Sequence, residues 1–470
     1  MALPQTDLDW LNYLAIRHDA EKGELEAYDR YYDGTQPLTY MHPEILREVR
    51  DRIAPVVIAW PQLVVDSVEE RLDVVGFHLP DEDGGDDDLF RVWQSNDMDE
   101  QSQLGHVDAL TMRRYYVSVG SREGDPDTPR LVAESPLEVF ADIDPRDRTV
   151  RAALKRVVEE DQSVGTNARY ATLYLPNVTV WYEWRGGWLV VDRDEHNLGQ
   201  VPVVPIVNRG RLAHTARRRD GVTRTRYGRS ELDSVIPLSD AANKIATDMM
   251  LAAEFLALPL RGFWGLGPDD LVDEDGNRLT AIQAIMGRLL TLTHPEDQEG
   301  KEFEFRQADL ANFHNSIDSL AKLVASIAGL PPHYLGQATT NPASADAIRS
   351  AEARLVKRAE RKQRAFGGGY EQVMRLVRRF QTGEWDPRLR RLETMWRDAS
   401  TPTVAQAADA AVKKFQAGIT TRRQAREDLG YTDTQIRLME ADDEIEARRD
   451  PVGMIAQGLA DRPEPASAGS

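Results

Sequence analysis

Apolar residues recur at helical spacing in two stretches in the second half of the chain. In Leu238–Leu256 they fall three or four residues apart on one face, which predicts an amphipathic helix about 30 Å long. Leu310–Ala328 has a similar spacing, and Gly329 with the following Pro-Pro pair ends it. Between them, Leu260–Phe305 contains short strand-like pieces separated by glycine-rich turns. The pattern therefore predicts two helices that flank a small inserted domain.

A third and longer helix is predicted from Asn341-Pro342 to about Thr382. Asparagine suits the N-cap, and proline is tolerated in the first turn. Gly367, Gly368 and Gly369 interrupt the pattern, and each costs about 1 kcal/mol relative to alanine inside a helix. We predict that the helix is kinked at this point.

The first half of the chain changes from helical to strand-like patterning near residue 115. Seven short runs rich in β-branched and aromatic residues follow, bounded by Gly, Pro or Asp. Arg185-Gly186-Gly187 has the composition of a hairpin turn between two of them. From Thr403 the pattern is again helical, and the tail from Pro451 is predicted to be disordered. The fold class is thus α+β, mainly helical.

Composition narrows the range of functions. The 58 basic and 78 acidic residues leave a net charge of −20, which argues against a protein that binds nucleic acid with its whole surface. The chain has no cysteine, so disulfides, thiolate zinc sites and cysteine nucleophiles are excluded. No apolar run approaches the ~20 residues that span a bilayer, so no membrane partner is expected.

No catalytic signature is present. The sequence lacks a GxxxxGK[ST] phosphate loop, HExxH and GxSxG, so we expect neither an enzyme nor a cofactor or metal site. Asp142 and Asp144 are candidate ligands for a divalent cation. Solvated carboxylates at the end of a strand are the favoured interpretation, and a metal-dependent nuclease remains an alternative.

A basic cluster lies on the third helix. Its members are Arg349, Arg354, Lys357, Arg358, Arg361 and Lys362, with glutamates interspersed. Pairing within the helix or with a neighbouring subunit is the favoured interpretation. Contact with DNA and plain solvation are the alternatives.

Three groups of segments resemble the portal proteins of long-tailed double-stranded-DNA phages, of the type common in phages of actinobacteria. They are VVDSVEERLDVVGF (Val64–Phe77); GQVPVVPIVNR (Gly199–Arg209) followed by Gly228–Met250; and IAGLPPHYLG (Ile327–Gly336) with Asn341–Gly367. They occur in the family's order. No segment is specific alone, and the combination carries the resemblance.

The resemblance implies a portal fold with named regions. Residues 1–230 correspond to an α+β wing, 231–258 and 307–328 to two stem helices, and 259–306 to a small α/β clip. Residues 329–343 correspond to a tunnel loop, 344–386 to the long kinked helix, 387–450 to an α-helical crown, and 451–470 to the tail.

The resemblance also implies a function without catalysis. About twelve subunits form a ring at one capsid vertex, through which double-stranded DNA is packaged and ejected. The implied partners are the major capsid protein, a scaffold, the terminase large subunit and head-completion or adaptor proteins. Assembly takes place in the host cytoplasm, and the product resides in the virion. Three polar residues of the tunnel loop are candidates for DNA contact: His333, Tyr334 and Gln337. A minor capsid or other head–tail connector protein is the main alternative, and a host-derived scaffold or adaptor is a further one.

Overall fold

A computed structural model describes most of the chain, namely residues 3–37, 56–80, 85–161, 166–210, 212, 216–218, 221–223, 225–256, 261–264, 289–292, 302–304, 310–336, 345–400, 404–431 and 433–449. The structure divides into two compact units, Met1–Trp396 and Arg397–Ser470. Each unit is described by itself.

Seven α-helices are described in the first unit. They are α1 (Asp7–Tyr32), α2 (Trp60–Glu69), α3 (Asp87–Gln94), α4 (Met98–Met112), α5 (Ile236–Leu256), α6 (Ala311–Ala328) and α7 (Ala345–Thr382). The first begins with a capping box, in which the Thr6 side chain accepts from the Asp9 backbone and the Asp9 side chain accepts from the Thr6 backbone. The helices α5, α6 and α7 match the three predicted long helices.

The strands described in the first unit form several small sheets. They are β1 (Val74–His78), β2 (Arg114–Gly120), β3 (Arg130–Glu134), β4 (Val139–Ile143), β5 (Val150–Asp161), β6 (Thr166–Tyr174), β7 (Thr179–Trp184), β8 (Trp188–Asp194), β9 (Val203–Val207), β10 (Ala216–Arg218), β11 (Gly221–Thr223), β12 (Arg261–Trp264), β13 (Leu289–Leu292), β14 (Glu302–Glu304) and β15 (Glu393–Trp396). A five-stranded antiparallel sheet has the order β4-β5-β6-β7-β8, and a three-stranded antiparallel sheet has the order β3-β2-β9. The predicted hairpin turn is present between Trp184 and Trp188, which face each other across it.

The insert between α5 and α6 contains β12, β13 and β14. Strand β12 pairs in parallel with β13 and antiparallel with β14. These strands coincide with the strand-like pieces of the sequence. All other residues of 257–309 lie outside the described ones. The helix–insert–helix arrangement is therefore present.

Three hydrophobic clusters hold the first unit together, and the smallest lies around Tyr116, Val139 and Val203. The largest one joins α2, α4 and α7, and its largest buried side chains include Trp93, Tyr115, Phe366 and Tyr370. The second lies between α1 and the five-stranded sheet, where Leu11 and Leu14 pack on apolar side chains of β4–β7. Helices and sheets of the first unit thus cover apolar faces of one another.

The three glycines of α7 do not interrupt it. The helix is continuous from Ala345 to Thr382, so they do not divide it into two helices, and the predicted kink stays a prediction. A Cβ atom on Gly369 would overlap Ile206 Cδ1 of β9, and one on Gly367 would lie 3.3 Å from Trp396 Nε1 of β15. The glycines allow two strands to pack closely against the helix, which outweighs their low helix propensity.

The second compact unit begins at Arg397, ten residues after the predicted start of the crown at residue 387. Residues 393–396 form β15, which pairs antiparallel with β1, and the first unit extends to Trp396. The second unit contains α8 (Val404–Gln416), α9 (Arg422–Asp428) and α10 (Asp433–Arg449). Arg426 of α9 donates to Asp443 of α10 over 2.8 Å. No helix among the described residues is long and apolar enough to cross a membrane.

Candidate DNA-facing loop and basic helix

The loop after α6 is built from two left-handed glycines and a short 3-10 turn. Gly329 (φ +70°) ends the helix, Pro332–Leu335 form the turn, and Gly336 (φ +73°) ends it in the same conformation. Leu330 is buried in the main core and anchors the start of the loop. The chain path beyond Gly336, including Gln337, lies outside the described residues.

The loop places His333 and Tyr334 differently. His333 is exposed, and its ring lies 4.9 Å from the Tyr334 ring in an edge-on arrangement. The Tyr334 hydroxyl accepts from Arg71 Nη2 and donates to Glu352 Oε1, both over 3.2 Å. Burial and the Glu352 charge raise the Tyr334 pKa, so the phenol stays protonated. Tyr334 therefore holds the loop against α7. Of the two candidates for DNA contact whose side chains are described, His333 is the exposed one.

The basic residues of α7 do not form one surface. Arg354 Nη1 donates to the Ser326 carbonyl over 2.7 Å, in the last turn of α6. A guanidinium at this position also stabilises the negative end of the helix dipole. Lys357 is exposed and pairs with Glu360 over 2.5 Å. Arg361 is exposed, whereas the side chain of Arg349 lies outside the described ones.

Arg358 and Lys362 point in another direction and converge on one buried carboxylate. Each lies 2.5 Å from Glu231, and Arg209 approaches the same group over 2.5 Å. Lys362 also donates to the Asn208 side chain. We call Arg209, Glu231, Arg358 and Lys362 the Glu231 cluster. It joins the end of β9, the approach to α5 and the middle of α7.

The electrostatics of the Glu231 cluster keep the carboxylate ionised. Burial alone raises the pKa of Glu231, but the three cations outweigh it and hold the pKa at about 2. Burial lowers the pKa of Lys362 to about 8 against the pull of Glu231. At neutral pH three cations thus share one carboxylate. The sequence shows no sign of this group, because 131 residues separate Glu231 from Lys362.

Together these contacts correct the interpretation of the basic cluster. Arg354, Arg358 and Lys362 bind other elements of the same subunit, an arrangement that the sequence did not suggest. Among the five members of the cluster whose side chains are described, the exposed Lys357 and Arg361 remain as candidates for contact with a partner.

Asp142 and Asp144 do not assemble a cation site. Asp142 is fully buried, forms ion pairs with Arg17 and Arg151, and accepts from Arg151 Nε over 2.8 Å. Asp144 accepts from the Arg146 backbone over 2.7 Å, as in a turn. No group of three potential metal ligands occurs among the described residues. The structure gives no support to the nuclease alternative, because arginines occupy the carboxylate that it requires.

A family model of phage portal proteins, described as "Phage portal protein, SPP1 Gp6-like", matches residues 11–449. The chain belongs to the phage portal protein family. The match spans both units and every described helix except the start of α1. The predicted family is therefore confirmed, and the match favours a portal over a minor capsid protein.

Curated relatives support the same assignment. The "Portal protein" of Mycobacterium phage D29 is 39% identical over 401 residues, which cover 83% of this chain and 79% of the relative. The "Portal protein" of Mycobacterium phage L5 is 38% identical over 440 residues, which cover 91% and 86%. Both relatives come from phages named for Mycobacterium, a genus of actinobacteria, as the resemblance implied.

Two solved structures are similar at a lower level. A chain from "Virion of native gene transfer agent (GTA) particle" has a TM-score of 0.42 and 14% identity, and the match covers 87% of this portal chain and 93% of that one. A chain from "Neck of empty GTA particle computed with C6 symmetry" has a TM-score of 0.43 and 13% identity, with 83% and 95% covered.

Proposed function

We propose that this portal protein is the repeating subunit of a ring at one capsid vertex, through which double-stranded DNA enters and leaves. Membership of the portal family carries the proposal. The helix–insert–helix unit of α5, β12–β14 and α6, followed by the long α7, is the arrangement expected of a stem, a clip and a supporting helix.

Charge supports a conduit that does not hold the DNA. A ring of twelve subunits at −20 each carries a formal charge of about −240, and surfaces of that sign repel phosphate. Three of the basic side chains of α7 are engaged inside the subunit. DNA contact is then confined to a few groups on the loop after α6. The candidates are His333, whose side chain is exposed, and Gln337, which lies outside the described residues.

The contacts of α7 support a mechanical role for this helix. Arg354 binds the end of α6, and Arg358 with Lys362 binds Glu231, five residues before α5. Three turns of one helix therefore hold both proposed stem helices at the same end. A fixed junction of this kind transmits force from the stem to the body of the ring rather than absorbing it locally.

The regions and partners form the finer part of the proposal. Residues 1–230 act as the wing, the α5–α6 pair as the stem, the insert as the clip, and helices α8–α10 as the crown. The wing contacts the capsid protein or scaffold. The clip receives the terminase large subunit and later the head-completion or adaptor proteins. Assembly takes place in the host cytoplasm before incorporation into the virion.

Negative-stain imaging of the purified full-length protein tests the ring. Particles with a central hole and cyclic symmetry of about twelve are expected. A protein that remains monomeric over the whole accessible concentration range contradicts the proposal. The conduit is tested separately by measuring DNA binding to isolated rings at physiological salt, where weak binding without sequence preference is expected.

A further inference from the structure

The free end of the five-stranded sheet carries an unusual concentration of exposed apolar side chains. Of the 24 large hydrophobic residues that are exposed among the described ones, seven lie on β5–β8. We call these seven the sheet-end surface: Val158, Tyr170, Trp181, Trp184, Leu189, Val190 and Val191. Their number on one sheet distinguishes them from the single exposed apolar residues that any protein surface shows.

Strand β8 is the centre of this surface. It lies at the edge of the sheet, next to β7 only, so one side of its backbone has no strand partner among the described residues. Leu189, Val190 and Val191 are 52–63% exposed in succession. Natural edge strands are usually protected by charged residues or proline. In β8 the charged residues are confined to Asp192–Asp194, and Trp188–Val191 has neither charge nor proline.

The register shows that both faces of the sheet contribute. Val190 lies opposite Tyr182, whose side chain belongs to the core beneath α1, whereas Leu189 lies opposite Glu183 on the other face. A bulge between Trp181 and Tyr182 leaves Val191 without an opposite residue. A partner that covers this edge therefore meets apolar groups above, below and along the strand.

The size of the surface fits one side of a specific protein interface. Aromatic side chains present about 150–250 Å² each, and aliphatic ones about half as much. With the exposed fractions of 36–63%, the seven residues offer about 500 Å² of apolar area. A standard interface buries about 800 Å² per partner, of which roughly 57% is apolar. Asp192, Arg193 and Asp194 continue the strand as a polar rim.

We infer that the sheet-end surface is the contact through which one subunit packs against the next copy of this chain. This inference rests on the proposed ring. A ring of identical subunits requires each copy to offer two unlike patches, because head-to-tail contacts are heterologous. The sheet-end surface supplies one such patch. Pairing of β8 with β8 is excluded by the same reasoning, since it is two-fold and ends at a dimer.

The test compares Val191→Lys with Leu104→Lys in the full-length protein. The two positions are 63% and 64% exposed, but Leu104 lies on α4 and not on the five-stranded sheet. A lysine forced into an apolar interface is expected to weaken assembly on the order of 100-fold, measured by light scattering across a dilution series. The control is expected to assemble as the parent does. Unchanged unfolding midpoints of both variants show that folding is intact.

Cysteine labelling gives a second measurement that does not depend on disruption. Because the chain has no cysteine, Val191→Cys and Leu104→Cys each introduce a single thiol. In rings, maleimide labelling of the thiol at 191 is expected to slow by about tenfold or more relative to monomer, because burial excludes the reagent. Labelling at 104 should be the same in both states.

The outcomes separate this inference from the proposed function. Rings formed equally by Val191→Lys and the parent, with fast labelling at 191, overturn the inference and leave the ring intact. If the thiol at 191 is protected from labelling in capsids but not in isolated rings, the surface contacts the shell, and the inference is overturned as well. Disulfide-linked dimers of Val191→Cys show two-fold pairing, with the same consequence. A parent protein that never forms rings contradicts the proposed function, and the inference falls with it.

Discussion

Replacing Glu231 by glutamine tests the electrostatic junction of this portal subunit. The Glu231→Gln side chain keeps its size but loses the charge that balances Arg209, Arg358 and Lys362. Three cations then remain around a neutral amide in a largely buried place. Removal of one partner from a buried ion pair costs about 3–5 kcal/mol, because the remaining charge stays desolvated.

The pKa of Glu231 gives a similar magnitude by a separate route. A fall from 4.5 to about 2 corresponds to about 3 kcal/mol of stabilisation of the ionised form. Because the pKa is lower in the folded state, this stability is fully present above about pH 4.5. It is lost as the pH falls toward 2. The Glu231→Gln variant should lack that part of the acid dependence.

Urea unfolding followed by tryptophan fluorescence measures the effect. All nine tryptophans lie at or before residue 396, so the signal reports on the first unit alone. With an m-value of about 3 kcal/mol/M or more, the midpoint should fall by about 1 M. Glu360→Gln is the matched control, since Glu360 pairs with Lys357 on the surface and should cost less than about 1 kcal/mol. Equal small losses in both variants would refute the account of the Glu231 cluster.

Three further predictions concern single contacts. Gly369→Ala should lower the free energy of unfolding by about 1–3 kcal/mol, because its Cβ overlaps Ile206. The control is Gly368→Ala, whose added Cβ has no atom within 4 Å; it should leave the free energy of unfolding unchanged or raise it by up to about 1 kcal/mol. Equal effects of the two variants in urea unfolding would contradict the packing argument. Tyr334→Phe should cost about 1 kcal/mol and increase proteolysis of the loop after α6, whereas unchanged proteolysis would show that the hydroxyl does not hold it. Burial and nearby carboxylates raise the pKa of Glu69 to about 7, so its ionisation lowers the free energy of unfolding as the pH rises from 4.5 through 7. Glu69→Gln should therefore raise the melting temperature more at pH 8 than at pH 5. A larger increase at pH 5 would contradict this shift.

The sequence alone determined most of the secondary structure. Helices α5, α6 and α7 and the strands β2–β8 follow patterns that repeat within a few residues, and such patterns depend on the local backbone geometry. The hairpin turn at Gly186 was equally predictable, because a positive φ favours glycine there. The order of family-like segments also sufficed to predict the family, which the comparison confirmed.

The glycines of α7 show what local reasoning misses. Intrinsic propensity counts only the cost of Gly367–Gly369 within the helix. The tertiary structure supplies a reason for two of these glycines, because β9 and β15 pack where a side chain would not fit. The same strand β15 moves the domain boundary to residue 396, through a pairing with β1 that lies more than 300 residues away.

Only the tertiary structure decided which charges matter. Six basic residues on one helix form a single cluster in the sequence, but a helix presents side chains in several directions, so members of the cluster meet different neighbours. Arg354 reaches a helix end, Arg358 and Lys362 reach Glu231, and Lys357 remains in solvent. Ion pairs between distant residues leave no local periodicity. The sequence therefore determined the elements of this portal subunit, and the packing of those elements determined the junction and the exposed sheet edge.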